Sequence, residues 1–316
     1  MEISSKIKEK KAMFFTIIAI LLVTSSILSF TLITHYTNYN KMKVVEIRAY
    51  TMNNFIHNIE RDMERAIYIS GFRALVSIDN YIITNGTFVS DVDAVFFEAM
   101  TNGTINGIEQ PVMVNQTIID WQNKIIKKAE DAGLIVNITI FNIDIEHNSP
   151  WEIKVSAMMN FSLTDSFNTA YWKRDNVVIS NYIDITGFED PVFSLNTGGL
   201  ITRTIEKSNV TQWNVTTLKQ HLSLGTYVNN TNAPSFLMRL ENNLAPSPYG
   251  IESLVNTNEL IIYGIQVKNE TSVDYLYWGS GGINNTRIDG ITNSGYPFFK
   301  LDNDHVTFYR VENNTY

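Results

Sequence analysis

Between Ala12 and Ile33 the chain runs for 22 residues without a charge. At about 1.5 Å per helical residue, such a run crosses the ~30 Å hydrocarbon core of a bilayer. Lys6, Lys8, Lys10 and Lys11 stand just before it, and the next lysines are Lys41 and Lys43. That asymmetry orients a spanning helix with its N-terminal side in the cytoplasm and the rest of the chain outside.

A cleaved secretory signal has an apolar region of roughly 7 to 15 residues ending in small residues. Met13 to Val23 followed by Thr24, Ser25 and Ser26 fits that form. Apolar character then resumes at Ile27 and Leu28 and continues through Leu32 and Ile33, which favours a retained anchor. The buried core helix of a cytoplasmic protein is a third reading, opposed by both the lysines and the length.

Beyond this segment the chain is rich enough in apolar residues, at 44% of 316, to pack a core. Its net charge of −8 argues against nucleic acid as a partner, which calls for a basic patch. With no cysteine, disulfides, thiolate metal sites and a cysteine nucleophile are excluded.

Asn-x-Ser/Thr sequons occur at Asn85, Asn102, Asn115, Asn137, Asn160, Asn209, Asn214, Asn229, Asn269, Asn284 and Asn313, all beyond the apolar run. The chain has 35 asparagines, and its Ser and Thr content would give roughly five or six by chance. The excess predicts a glycosylated exterior surface, although an Asn- and Thr-rich composition also produces sequons freely. Asn137 and Asn160 fall within predicted strands and can carry sugar only where they face solvent.

Val45, Ala49, Met52, Ile56, Ile59, Met63, Ala66 and Ser70 recur in steps of four and three, the stripe of a long amphipathic helix. The polar stretch 34–40 is a place where it could break, and Gly71 a place where it could end or kink. On the opposite face, Arg61, Asp62, Glu64 and Arg65 read as solvated (i, i+3) pairs.

Asp91 to Met100 and Thr117 to Ala132 read as shorter helices, the second stopped by Gly133. Leu134 to Ile145, the strictly alternating Trp151 to Leu163, and Val177 to Ile185 then form an antiparallel meander. In the last third, Val215–Leu222 and Ser235–Leu244 are predicted helices, and Glu259–Val267 and Ser272–Trp278 predicted strands. The whole is an α+β chain: a basic tail at 1–11, a transmembrane segment at 12–34, the long helix at 35–80, and a mixed ectodomain at 81–316. Two subdomains could meet near 196–199.

The residues assign no catalytic, cofactor-binding or metal role. None of the five histidines stands in an H-x-x-x-H or H-E-x-x-H spacing. Asp302-Asn303-Asp304-His305 reads as a helix N-cap, with an EF-hand opposed by Asn313 at its twelfth position. Glu189 and Asp190 read as a strand-terminating turn, because adjacent carboxylates do not by that alone face one cleft. Gly279-Ser-Gly-Gly282 lacks the strand-to-helix setting and the Lys-Ser/Thr of a phosphate loop. No G-x-S-x-G elbow occurs.

Lys10-Lys11-Ala12-Met13-Phe14-Phe15 resembles the class III signal of archaeal type IV pilin-like proteins. The resemblance implies cleavage between Ala12 and Met13, with the apolar helix kept on the mature chain, followed by a β-containing head. Ile17 stands where many bacterial pilins carry an acidic residue. Met13 to Val76 as one helix would be roughly 95 Å long. Ser70–Leu75, Gly187–Pro191 and Tyr249–Leu254 are also similar to stretches of archaeal membrane-anchored surface proteins.

The expectation is therefore a single-pass, N-terminally anchored surface protein with the bilayer as one partner and copies of itself or other surface subunits as others. Its role would be structural or adhesive, including that of a pilin-like filament subunit. The alternative is a ligand-binding or sensory ectodomain that signals through a partner membrane protein, since the inside portion would be only eleven residues.

Overall fold

The computed structural model describes the backbone of residues 2–167, 170–279 and 285–316, and side chains from residue 13 onward. Helix α1, Glu2–Asn85, is one unbroken rod of 84 residues, about 126 Å long. The polar stretch 34–40 does not interrupt it. Thr34 Oγ1 donates to the Phe30 carbonyl at 2.8 Å and Thr37 Oγ1 to that of Ile33, so these hydroxyls bond within the helix.

Two regimes divide α1. From Met13 to Thr51 its side chains are exposed, apart from a half-buried Arg48. From Met52 onward one face is buried, through Ile56, Ile59, Met63, Ala66, Ile67 and Ser70 to Ile82. Val45 and Ala49, predicted on the same stripe, are exposed because the head begins only at Met52. Each fully buried Ile or Leu removed from water contributes about 1.5–3 kcal/mol, so this face, and not helix propensity, holds the rod to the head.

Gly71 does not end the helix. A Cβ there would lie 3.1 Å from Ile183 Cδ1 and 3.3 Å from Val155 Cγ2, so the missing side chain lets helix and sheet approach closely. The helix instead ends five residues past the expected boundary at 80, where Gly86 adopts a left-handed φ of 67° and donates to the Ile82 carbonyl.

Helix α2, Val92–Asn102, is capped by Asp91, whose side chain accepts from the Ala94 N–H. Helix α3, Ile118–Asp131, starts with a capping box between Thr117 and Asp120. Strands β1 (Leu134–Ser149), β2 (Glu152–Asp165) and β3 (Tyr171–Asp184) follow as an antiparallel sheet in sequence order, the predicted meander. One face buries Val136, Ile138, Val155, Ala157, Met159 and Phe161 beneath the helices, whereas Asn137 and Thr139 on the other are exposed. β3 begins six residues before the predicted Val177, because its first half is exposed and polar. A bulge separates the two halves, where Asn176 has φ 55° and its N–H reaches Asn160 Oδ1 at 2.8 Å.

The last third is built from short elements: α4 (Pro191–Asn196), α5 (Val215–Leu224), α6 (Phe236–Leu240), α7 (Thr257–Ile262), α8 (Asp274–Trp278) and α9 (Asn303–Phe308). The strands predicted over Glu259–Val267 and Ser272–Trp278 are absent. Asn256 caps α7 in the first case, and in the second α8 is a single turn with Asp274, Tyr275 and Tyr277 all buried. Among the described residues, most buried apolar side chains fall into two clusters. The larger joins α1, α2, α3 and the sheet to residues on both sides of 196–199, including Phe193, Ile205 and Phe236. The smaller lies within the C-terminal third, around Leu218, Phe299 and Tyr309.

Candidate functional site

Between these clusters lies a fully buried network of charges. Asp190, the N-cap of α4, accepts on Oδ2 from Arg239 Nη1 at 2.6 Å and from the Tyr227 hydroxyl at 2.8 Å. The same guanidinium nitrogen stands 3.0 Å from Asp274 Oδ2, which also takes the Ser253 N–H at 3.1 Å. A second guanidinium nitrogen donates to the Ile251 carbonyl. The side chains of Arg239, Asp190 and Asp274 are 0% exposed.

One residue on from Ile251, Glu252 gathers a second set. Its Oε1 accepts from the Tyr309 hydroxyl at 2.6 Å, and its Oε2 from Asn230 Nδ2 at 2.7 Å and His305 Nε2 at 3.0 Å. His305 Nδ1 lies 2.8 Å from Asp302, which caps α9 as predicted and also accepts from Thr271 Oγ1. Burial works against the imidazolium, but hydrogen bonds and charge from Asp302 and Glu252 outweigh it and raise the His305 pKa to about 10.

Charged at neutral pH, His305 donates from both ring nitrogens and has no lone pair left for a metal or for proton abstraction. The arrangement is a clasp that ties α4, α6, α8 and α9 together. It has the chemistry of structural charge pairing.

Its carboxylates outnumber its cations, and Asp274 absorbs part of the excess. Burial raises its pKa to about 6, against the pull of Arg239. Nearby, Asp79 on α1 is raised to about 8 by burial and by the charge of Glu189. Among the described residues, no group of three or more His, Asp or Glu is placed to hold a metal ion.

The sequence motifs end up far apart. Met13 is exposed on the rod, while the side chain of Ala12 lies outside the described residues. Asn85, Asn102, Asn115, Asn137, Asn209, Asn214, Asn229, Asn269 and Asn313 are exposed, and Asn160 is half-buried. Asn284 and the glycines at 281–282 lie outside the described residues. Asn214 has a structural task as well, its Oδ1 accepting the Thr216 and Thr217 N–H groups as the cap of α5.

The (i, i+3) pairs expected among Arg61, Asp62, Glu64 and Arg65 do not form among the described residues. Arg174 from β3 pairs instead with Glu60, one position before the predicted group. The turn expected at Glu189 and Asp190 lies instead at Thr186 and Gly187; Glu189 bridges to Thr204 and Asp190 caps α4. The long-range partners of Asp190, Tyr227 and Arg239, lie 37 and 49 residues further along the chain, out of reach of any local motif.

A cleft of about 540 Å³ opens beside α5, lined by hydroxyl and amide side chains with Glu206 and Lys207. At its inner edge His221 holds Thr226 Oγ1 at 2.7 Å on Nδ1, and burial lowers its pKa to about 4, so the ring is neutral.

Comparison of this chain with protein families, curated proteins and solved structures finds no match.

Proposed function

We propose that the chain is a membrane-anchored surface subunit whose rod holds a glycosylated head outside the cell. The observation that carries this reading is the exposed half of α1. It is the one helix among the described residues long and apolar enough to cross a membrane, and none of its apolar window is buried by the head. Met13, Phe14, Phe15, Leu21, Leu22, Phe30 and Ile33 all face outward. Left in water, such a surface far exceeds the apolar patches that monomeric soluble proteins display.

The hydroxyls within the span are suited to lipid. Thr24 donates to the Ile20 carbonyl at 2.9 Å and Thr31 to that of Ile27, so neither needs water. The buried face from Met52 to Ile82 makes the same helix an amphipathic stalk for the head. Exposed sequon asparagines fit the glycosylated exterior. Within this reading the subunit is structural or adhesive, and a pilin-like filament subunit is its most specific form. The polar cleft beside α5 favours the second reading, a ligand-binding ectodomain acting through a partner membrane protein.

Intact-mass analysis of the native protein tests the proposal. A mature chain starting at Met13, with added sugar mass, supports the pilin-like form; an intact Met1 with sugar leaves a plain anchor. An unglycosylated chain recovered from the soluble cell interior overturns both.

A further inference from the structure

Six of the cations whose surroundings are described sit beside a carboxylate. Arg48, Lys154, Lys173, Arg174, Arg203 and Arg239 each lie within 4.0 Å of one. Arg61, Arg65 and Lys128 do not, and they stand together. They line one groove of about 350 Å³ between α1 and α3, together with a single carboxylate, Asp62. Among the described residues, none of the three makes an ion pair or a side-chain hydrogen bond.

We propose that this groove binds an acidic saccharide, a sugar-sized polyol carrying one carboxylate or phosphate. Arg61 and Arg65 stand one helical turn apart on α1, and Lys128 approaches from α3. Two guanidinium forks and an ammonium match the oxygens of a single oxyanion, with bidentate contacts open to each arginine.

The rest of the lining is superfluous for a bare ion. Phe55 is half-buried at the rim, and Ile59 and Ile125 are buried beneath it, a floor suited to the C–H face of a sugar ring. Asn58 and Asp62 add an amide and a carboxylate that accept from sugar hydroxyls. The volume also exceeds what phosphate alone would fill. This inference stands apart from the anchoring proposal, because it uses only the packing of α3 on α1.

Isothermal titration calorimetry on the full chain in detergent, at low salt, tests it with glucuronate, glucose 1-phosphate, inorganic phosphate and glucose. Both sugar acids are expected to bind saturably, the tighter one identifying the oxyanion, with phosphate weaker and glucose silent. The double variant Arg61→Gln/Arg65→Gln should weaken the sugar acids at least about tenfold. Both side chains are exposed, so the variant should keep the thermal midpoint of the parent. Absence of saturable binding by either sugar acid, or equal binding by the variant, would overturn the proposal. So would inorganic phosphate binding as tightly as the sugar acids, which would leave a plain anion site.

Discussion

Arg239 concentrates the energetics of the C-terminal third in one side chain. Its guanidinium is wholly buried between Asp190 and Asp274. Replacing it with Met removes the cation but leaves both carboxylates in a dry interior, which should cost about 3–5 kcal/mol. Chemical denaturation of Arg239→Met against the parent checks this, and a loss below about 1 kcal/mol would contradict the clasp. None of this was legible in the sequence. Asp302 could be read as a helix cap because a cap is local, whereas Asp190 reads as part of a strand-terminating turn and is the cap of α4. The partners of Glu252 lie 22, 53 and 57 residues away, at spacings no motif records.

At the scale of elements, periodicity was a reliable guide wherever an element was long and buried on one side. α3 and the sheet kept their predicted order, and the stripe from Met52 to Ser70 is the buried face of α1. It failed at α7 and α8, each one or two turns long, although the equally short α6 forms within its predicted Ser235–Leu244. α8 is buried on nearly every side, so its residues show neither a period of two nor one of 3.6. In α7, β-branched residues suggested a strand, but the Asn256 cap and the left-handed Gly264 fix a short helix instead.

The division of α1 yields its own prediction. The helix before Val45 adds no buried residue to the head, whereas Arg48 reaches Asp165 at 3.7 Å. A chain beginning at Val45 should therefore stay soluble without detergent and melt within about 2–4 °C of the full chain. A chain beginning at Ile69 loses Met52, Ile56, Ile59, Met63 and Ile67 from the core and should not fold. Circular dichroism melts of the two truncations decide it.

Across the whole molecule, proton linkage sets how stability changes with pH. Asp79 and His305 both have folded pKa values above their unfolded ones, about 8 and about 10. The folded chain then holds protons that the unfolded chain has released, and stability falls as pH rises. For Asp79 the decline runs from about pH 4 to about 8, and for His305 from about pH 6.5 to about 10. His221, lowered to about 4, acts in the opposite sense below pH 6.5. The thermal midpoint should thus decline from about pH 6.5 to 9. Asp79→Asn keeps an acceptor for the Glu189 N–H and should flatten the part of that decline below pH 8. A midpoint that rises between pH 6.5 and 9 would contradict these assignments.

The proposed anchored, outward-facing topology can be tested directly because the chain has no cysteine. A Ser90→Cys variant places a single thiol at an exposed position on the head. On intact cells, a membrane-impermeant maleimide should label it as fully as after permeabilisation, on protein that stays with carbonate-washed membranes. Labelling only after permeabilisation, or recovery of the protein in the carbonate supernatant, would contradict the account.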